Sequence, residues 1–412
     1  MATTREFQDM LNDYLPNELL KEELIKRDYL LTKIEKDDSW KGGPLIVPFK
    51  AAGASSVSAG ALTASDDIAQ DKFVRGQVDS QVEVWGSMIF NHRDLMEHDM
   101  VSEQNFLKIL PGAIEDFMDY MKGVVSTNLL NGAHFAKLTA ATSASDGLIT
   151  VDRPERFVIG QKVKVVDGTS DITGYVKTVN MNTKVVLLVT ARGGSTALDF
   201  SGAEALDVAA KCYNAGFDST AFSSLRKALL SYVNGGDETL YGQTKTAYPY
   251  LQAINVDGSD ITAANVLEKI FDAFTTIRQF GKGNPTSVVF SYKHLGSALK
   301  IVEASKGAYN VTPGSQKASQ YGWTEIEIGS VKGTLSLVGV QEMDDDVIMF
   351  IDWRALKFHS NGFFRKRKSP DGIEYHEVRN TTGYQYIIDV CLFGEMVVIR
   401  PSYCGILHSI SY

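Results

Sequence analysis

Apolar positions recur at helical spacing in several stretches of the chain. Between residues 3 and 37, Phe7, Met10, Leu11 and Tyr14 fall at i, i+3, i+4 and i+7; beyond Pro16 and the candidate cap Asn17, Leu20, Leu24 and Leu31 continue an apolar stripe among many charges. A charged amphipathic stretch at a terminus either packs on its own domain or reaches a neighbouring subunit as an arm, and the spacing is compatible with both. Residues 102 to 131 predict helix again, with Ser102 and Asn105 near its start, a second helix beginning at Pro111, and Ile114, Phe117, Met118, Met121, Val125 and Leu129 on one face. Gly132 is its expected stop. TAANVLEKIFDAFTTIRQF, residues 262 to 280, places Val266, Ile270, Phe271, Phe274 and Ile277 on a further helical face ended by Gly281. SVVFSY then predicts a buried strand and HLGSALKIVEAS a helix.

Elsewhere the period is two. Residues 42 to 90 have alternating ends (Val78, Val82 and Val84 against Gln77, Gln81 and Glu83) and a middle of Ala, Ser and Gly, which predicts two strand-like legs joined by a loose tip. So long a connection without a core of its own needs something external to rest on. SDGLITVDRPERFVIGQKVKVVDGTSDITGYVKTVNMNTKVVLLV predicts about five short strands within residues 145 to 208, a small barrel or sandwich set between helical stretches. From residue 324 onward TEIEIGSV, GTLSLVGV, DVIMFID, LKFHS, IEYHEVRN, QYIIDVCL and EMVVIRP each predict a strand. The fold class is α+β.

The 412 residues are too many for one ordinary core, so two to four modules are expected. No apolar run approaches the roughly 18 to 20 residues of a membrane span, and the amino terminus lacks the basic, apolar and small-residue order of a secretory signal. A net charge of -9 argues against a chain devoted to neutralising phosphates. Cys212, Cys391 and Cys404 are odd in number and lack CxxC spacing, which indicates neither a disulfide framework nor a zinc site.

Chemistry-bearing patterns are sparse. GKGNPTS at 281 to 287 lacks the spacing of a phosphate loop and leads into a strand. His92 and His98 are six apart, off a common helical face, and Asp344, Asp345 and Asp346 lack the alternation of a calcium loop, which leaves a solvated turn between strands. The cysteines sit in apolar contexts, VCLFG and YCGIL, as inert buried thiols do. The expectation is a protein that is not an enzyme, with no catalytic residue, no cofactor and no metal. One row stands out: SNGFFRKRKSPDG sets Arg365, Lys366, Arg367 and Lys368 directly after two phenylalanines.

The order of parts resembles the tailed-bacteriophage major capsid protein family, the Hong Kong 97-like fold. The pieces that carry the resemblance are the helical residues 1 to 41, the segment from PLIVPF to VEVWGSMIF, the helix PGAIEDFMDYMKGVVSTNLL, and the ending GYQYIIDVCLFGEMVVIRPSYCGIL. SSLRKALL with GGDETLYGQTKTAYPYLQAINVDGS, residues 223 to 259, resembles the segment that comes after an insertion domain in such proteins. The resemblance implies an N-terminal arm at 1–41, an E-loop at 42–92, a peripheral domain with a spine helix at 93–144 and 346–394, a β-rich insertion domain at 145–211, and an axial domain at 212–345 and 395–412. It also implies self-assembly into pentamers and hexamers that form an icosahedral virion shell in the bacterial host cytoplasm, with scaffolding and portal proteins as partners. Packaged double-stranded DNA would lie nearby without sequence-specific binding, and no membrane is involved.

Under that resemblance the inter-subunit contact candidates are Phe7, Leu11 and Tyr14 of the arm, Ser55, Ser56, Ser58 and Leu62 of the tip, and Arg365, Lys366, Arg367 and Lys368. The basic row becomes a turn between LKFHSNGFF and IEYHEVRN, and its cations are solvated, paired with acids of a neighbour, or near the genome. Some relatives crosslink a lysine of the E-loop to an asparagine, with Asn361 or Asn380 as nominal partners here; the tip GASSVSAGALTAS has no lysine, and Lys50 and Lys72 lie near its base. No crosslink is therefore expected. The early start of the arm implies no removed scaffolding segment and a separate scaffolding protein. The rival readings are an encapsulin-like compartment shell, a phage tail or baseplate protein, and a carbohydrate-binding module, for which Tyr175 and Phe157 are too sparse.

Overall fold

A computed structural model describes residue 8 and residues 11–52, 72–79, 81–91, 96–97, 100–101, 103–142, 144–167, 171–201, 205–208, 210–218, 221–281, 283–304, 311–313, 325–330, 333–368, 372–380 and 383–412. Contacts divide the chain into one unit of Met1–Val125 with Ala228–Tyr412 and a second of Ser126–Lys227.

The first unit holds two sheets. One is organised by strand β20 (Gly383–Val398), which pairs with β4 (Val82–Asn91), β17 (Leu356–His359), β18 (Phe364–Lys366) and β19 (His376–Asn380), while β1 (Glu35–Asp37) lies parallel to β17. Alternation along β4 sends Val82, Val84, Met88 and Phe90 to the buried face and Glu83, Trp85, Ile89 and Asn91 to the other. Helix α3 (Glu103–Leu130) covers the buried face, and Gly86 makes room for it: a Cβ there would stand 2.8 Å from both Met121 Sδ and a Phe117 ring carbon. Each large apolar side chain buried in this way contributes about 1.5–3 kcal/mol.

Three expectations change here. Pro111 lies inside α3 and starts no second helix, although its missing N–H costs a backbone bond. QYIIDVCL and the EMVV of EMVVIRP are one 16-residue strand, because Gly394 allows a close approach: a Cβ there would lie 2.3 Å from the Phe358 ring. Residues 82–91 belong to this sheet, and the second leg of the hairpin is shorter, β3 (Lys72–Val78) against β2 (Leu45–Ala52).

The other sheet has seven strands in the order β11 (Ile254–Asp257), β21 (Gly405–His408), β16 (Ile348–Ile351), β12 (Ser287–Phe290), β15 (Gly333–Gly339), β14 (Glu325–Ser330) and β13 (Val311–Pro313). SVVF is wholly buried because β12 is central, parallel to β15 and antiparallel to β16. Helices α4 (Val266–Phe280) and α5 (Tyr292–Ala304) pack on this sheet, joining Ile270, Ile277, Leu295 and Ala298 to Val288, Phe290, Leu337, Ile348 and Phe350 in one core. Asp344, Asp345 and Asp346 form the expected turn between strands but are half-buried, and the Asp345 carbonyl lies 2.7 Å from His294 Nε2.

The second unit is a sheet of β5 (His134–Lys137), β10 (Lys211–Asn214), β7 (Lys162–Val166), β8 (Asp171–Asn180), β9 (Val185–Val189) and β6 (Leu148–Thr150), in that order. Its two edges meet: Thr139 N donates to Thr150 O at 2.9 Å and Asp152 N to Lys137 O at 3.0 Å, around a Leu138–Val151 bridge. The sheet therefore closes on a core of Phe135, Phe157, Val163, Val165, Ile172, Val186, Leu188 and Phe200. The closing strands start at His134 and end at Asn214, beyond the 145–208 block whose alternation is visible in the sequence.

Candidate assembly interface

The basic row is not a hairpin loop. The turn before it is made at Gly362 (φ 76°) and Phe363 (φ 21°), with both phenylalanines buried and Phe363 edge-on to Phe358 at 5.2 Å. The chain then enters β18, whose alternation separates the cations. Arg365 lies over Phe393 at 4.9 Å and Arg367 over Trp85 at 5.4 Å, while Trp85 meets Phe393 edge-on at 5.9 Å. Both arginines are exposed and Trp85 is 46% exposed, so this face presents guanidinium groups already oriented by aromatic rings.

Lys366 points the opposite way. It is buried against Glu374, which also pairs with Lys368 at 3.1 Å, and Lys366 Nζ donates to Leu11 O at 3.5 Å. Burial pushes the Glu374 carboxyl up, but the bonds and charges of Lys366 and Lys368 outweigh it and hold the group below its ordinary value. The Lys366 backbone N–H donates to Asn17 Oδ1 at 2.8 Å. Asn17 is thus the first residue of α1 (Asn17–Arg27) and a link to β18, with Pro16 in the capping position. The stripe does not run on unbroken to Leu31: Asp28 starts α2 (Tyr29–Lys33) by accepting from Leu31 N at 2.9 Å.

Leu11 has no exposed surface and Lys366 only 3%, so both are satisfied inside the chain and leave the set of inter-subunit contact candidates. Tyr14 is half-buried, and Arg365, Arg367 and Lys368 are exposed. Phe7, Ser55, Ser56, Ser58 and Leu62, like His92 and His98, lie outside the described residues.

The hairpin base is held by Tyr241, which sequence reasoning did not single out. Its ring stacks on Phe49 at 5.8 Å and 4°, its carbonyl accepts from Gln77 N at 3.0 Å, and its hydroxyl donates to Met396 O at 3.2 Å and accepts from Val398 N at 2.9 Å. Tyr241 has a positive φ of 50°, a conformation that a bulky residue adopts only when its surroundings impose it. Burial pushes its phenol up, which keeps the donor proton in place. Gly76 permits the contact, since a Cβ there would sit 2.3 Å from the Phe49 ring. On the other side of the hairpin Ile46 and Phe73 are 57% and 63% exposed.

The cysteines are buried and free, and burial pushes Cys391 and Cys404 up to about 12 and Cys212 further, which leaves poor nucleophiles. Among the described residues no cluster of His, Cys, Asp or Glu could hold a metal, and no helix is long and apolar enough to cross a membrane.

No protein family and no curated protein matches the sequence. Among solved structures, the capsid asymmetric unit of cyanophage A-1(L) aligns over 97% of this chain and 96% of its own, with a TM-score of 0.51 at 10% identity. The chain has the fold of a phage capsid protein. Weaker likenesses to this capsid-type fold are the capsid of a native GTA particle (TM-score 0.46, 11% identity, 93% and 90% of the two chains) and the SrpI encapsulin of Synechococcus elongatus PCC 7942 (0.41, 8%, 93% and 87%).

Proposed function

We propose that this protein is a major capsid protein of a phage, a shell subunit that self-assembles into pentamers and hexamers enclosing the genome. The observation that carries the reading is the alignment with the cyanophage capsid over nearly the full length of both chains. The arrangement is Hong Kong 97-like: 1–41 is the arm, 42–92 the E-loop with its last strand β4 joining the peripheral sheet, 93–144 and 346–394 the peripheral domain, 145–211 the insertion with closing strands that reach from His134 to Asn214, and 212–345 with 395–412 the axial domain. Scaffolding and portal proteins are its partners during assembly in the host cytoplasm.

The physical support lies in the hairpin. β2 and β3 pair only with each other among the described residues, and one face of the pair, with Val47, Phe49 and Val78, is buried on its own chain. Their outer face carries exposed Ile46 and Phe73, apolar surface that a neighbouring subunit would cover. Head-to-tail exchange of such an element between identical subunits generates closed rings.

Sedimentation tests the reading. Deleting residues 52–66 is expected to leave a folded protein that no longer forms stable shells. Normal particle formation by the deletion variant would remove the E-loop assignment.

A further inference from the structure

The second unit is the basic part of an acidic chain: residues 126–227 contain eleven Lys and Arg against nine Asp and Glu, whereas the whole chain carries 41 against 50. Four of these cations, Lys137, Lys162, Lys164 and Lys211, lie on one wall of the closed sheet. In β10, Lys211 and Tyr213 alternate with the buried Cys212 and Asn214; in β7, Lys162 and Lys164 alternate with the buried Val163 and Val165. Across the β5–β10 ladder Lys137 stands directly opposite Lys211, and His134 opposite Tyr213. Like charges directly opposite one another cost stability. Arg226 and Lys227 add to the same field: the Lys211 ammonium is drawn below its ordinary value first by burial and then by Lys137, Lys227 and Arg226.

Two carboxylates on this wall are held by a single lysine, Asp218 at 2.6 Å and Asp171 at 2.9 Å from Lys164 Nζ. Asp152 accepts from the Lys137 backbone N–H at 2.8 Å. The wall interleaves cations with rings: Lys162 lies over Tyr175 at 6.0 Å, and His134 meets Tyr213 edge-on at 6.4 Å.

We propose that this wall binds the phosphodiester backbone of duplex DNA without reading its sequence. A polyanion offsets the opposed charges of Lys137 and Lys211, and the outer face of β5, β10 and β7 offers several ammonium groups at once. Tyr175 is capped by Lys162 and Tyr213 is turned against His134, so these rings do not form the open stacking platform that unpaired bases require. The inference goes beyond the shell reading and concerns the single chain.

The test is fluorescence anisotropy of a labelled duplex titrated with the unassembled full-length chain over a salt series. Wild type is expected to bind with an affinity that falls steeply as salt rises. The Lys162→Glu, Lys211→Glu double variant should bind about tenfold or more weakly, with the log–log salt slope reduced by about two. Lys162→Arg with Lys211→Arg should bind as wild type does, and so should Arg365→Glu, which changes a cation outside this unit. If the glutamate variant fails to show a wild-type melting transition, the Lys162→Gln, Lys211→Gln pair replaces it, with about half the change in affinity. Salt-independent or undetectable binding by wild type, or unchanged binding by a folded charge variant, would overturn the proposal.

Discussion

Tyr241→Phe removes one hydroxyl and keeps the ring that stacks on Phe49. The Met396 carbonyl and the Val398 N–H then lose a buried partner, so the variant is expected to lose about 1–3 kcal/mol in urea unfolding. A loss within a few tenths of a kcal/mol would mean that the hydroxyl bonds to Met396 and Val398 contribute little to stability. At Glu374 the folded-state carboxyl is depressed, so its stabilisation is present above the ordinary glutamate range and is lost as pH falls through the depressed value. Glu374→Gln leaves buried Lys366 without its anionic partner and should cost about 3 kcal/mol at neutral pH. The gap between wild type and variant should narrow in acid; unfolding curves at several pH values with a constant gap would contradict the buried pair. Neither role could be read from the sequence: Tyr241 sits in an ordinary turn, LYGQ, and Glu374 is six residues past the basic row it neutralises. By contrast the alternation of Val82 and Val84 against Gln81 and Glu83 was legible, and Trp85 lies on the Glu83 side of it.

At the scale of elements, periodicity identified what local chemistry controls. The helices at 266–280 and 292–304 and the buried strand SVVF follow from spacing and composition alone. The errors occur where a local signal was overruled by a distant contact. Gly394 reads as a strand break, yet it admits the Phe358 ring within a continuous strand. Pro111 reads as a helix start, yet the helix runs through it to pack on β4 at Gly86. The basic row reads as a loop because four successive charges look solvated, whereas strand alternation buries one against Glu374 and lays two on rings. Gly394→Ala should therefore cost about 1–3 kcal/mol in chemical denaturation, through clashes with the Phe358 ring and the His359 carbonyl. A neutral or stabilising result would show that both the ring and the β17 backbone can give way.

At the scale of the whole molecule, the resemblance to phage capsid proteins was legible in the sequence, and the full-length likeness to a capsid chain supports it at the level of fold. The arm was legible as amphipathic helix, but the burial of Leu11 against its own chain depends on a strand more than 350 positions away, which no local pattern encodes. Two outcomes belong to the assembled state. Reversing the charges of Arg365 and Arg367 is expected to weaken assembly and alter its salt sensitivity, and unchanged assembly would remove that face from the interface. Particles on a denaturing gel should give a single 45.2 kDa band, since the tip has no lysine to crosslink. A ladder of larger species would contradict this. The central claim is tested most directly by negative-stain electron microscopy of the full-length chain, expressed alone and together with a candidate scaffolding protein: the account predicts closed polyhedral shells or sheets of capsomers, and tubes, stacked rings or only dispersed monomers would contradict it.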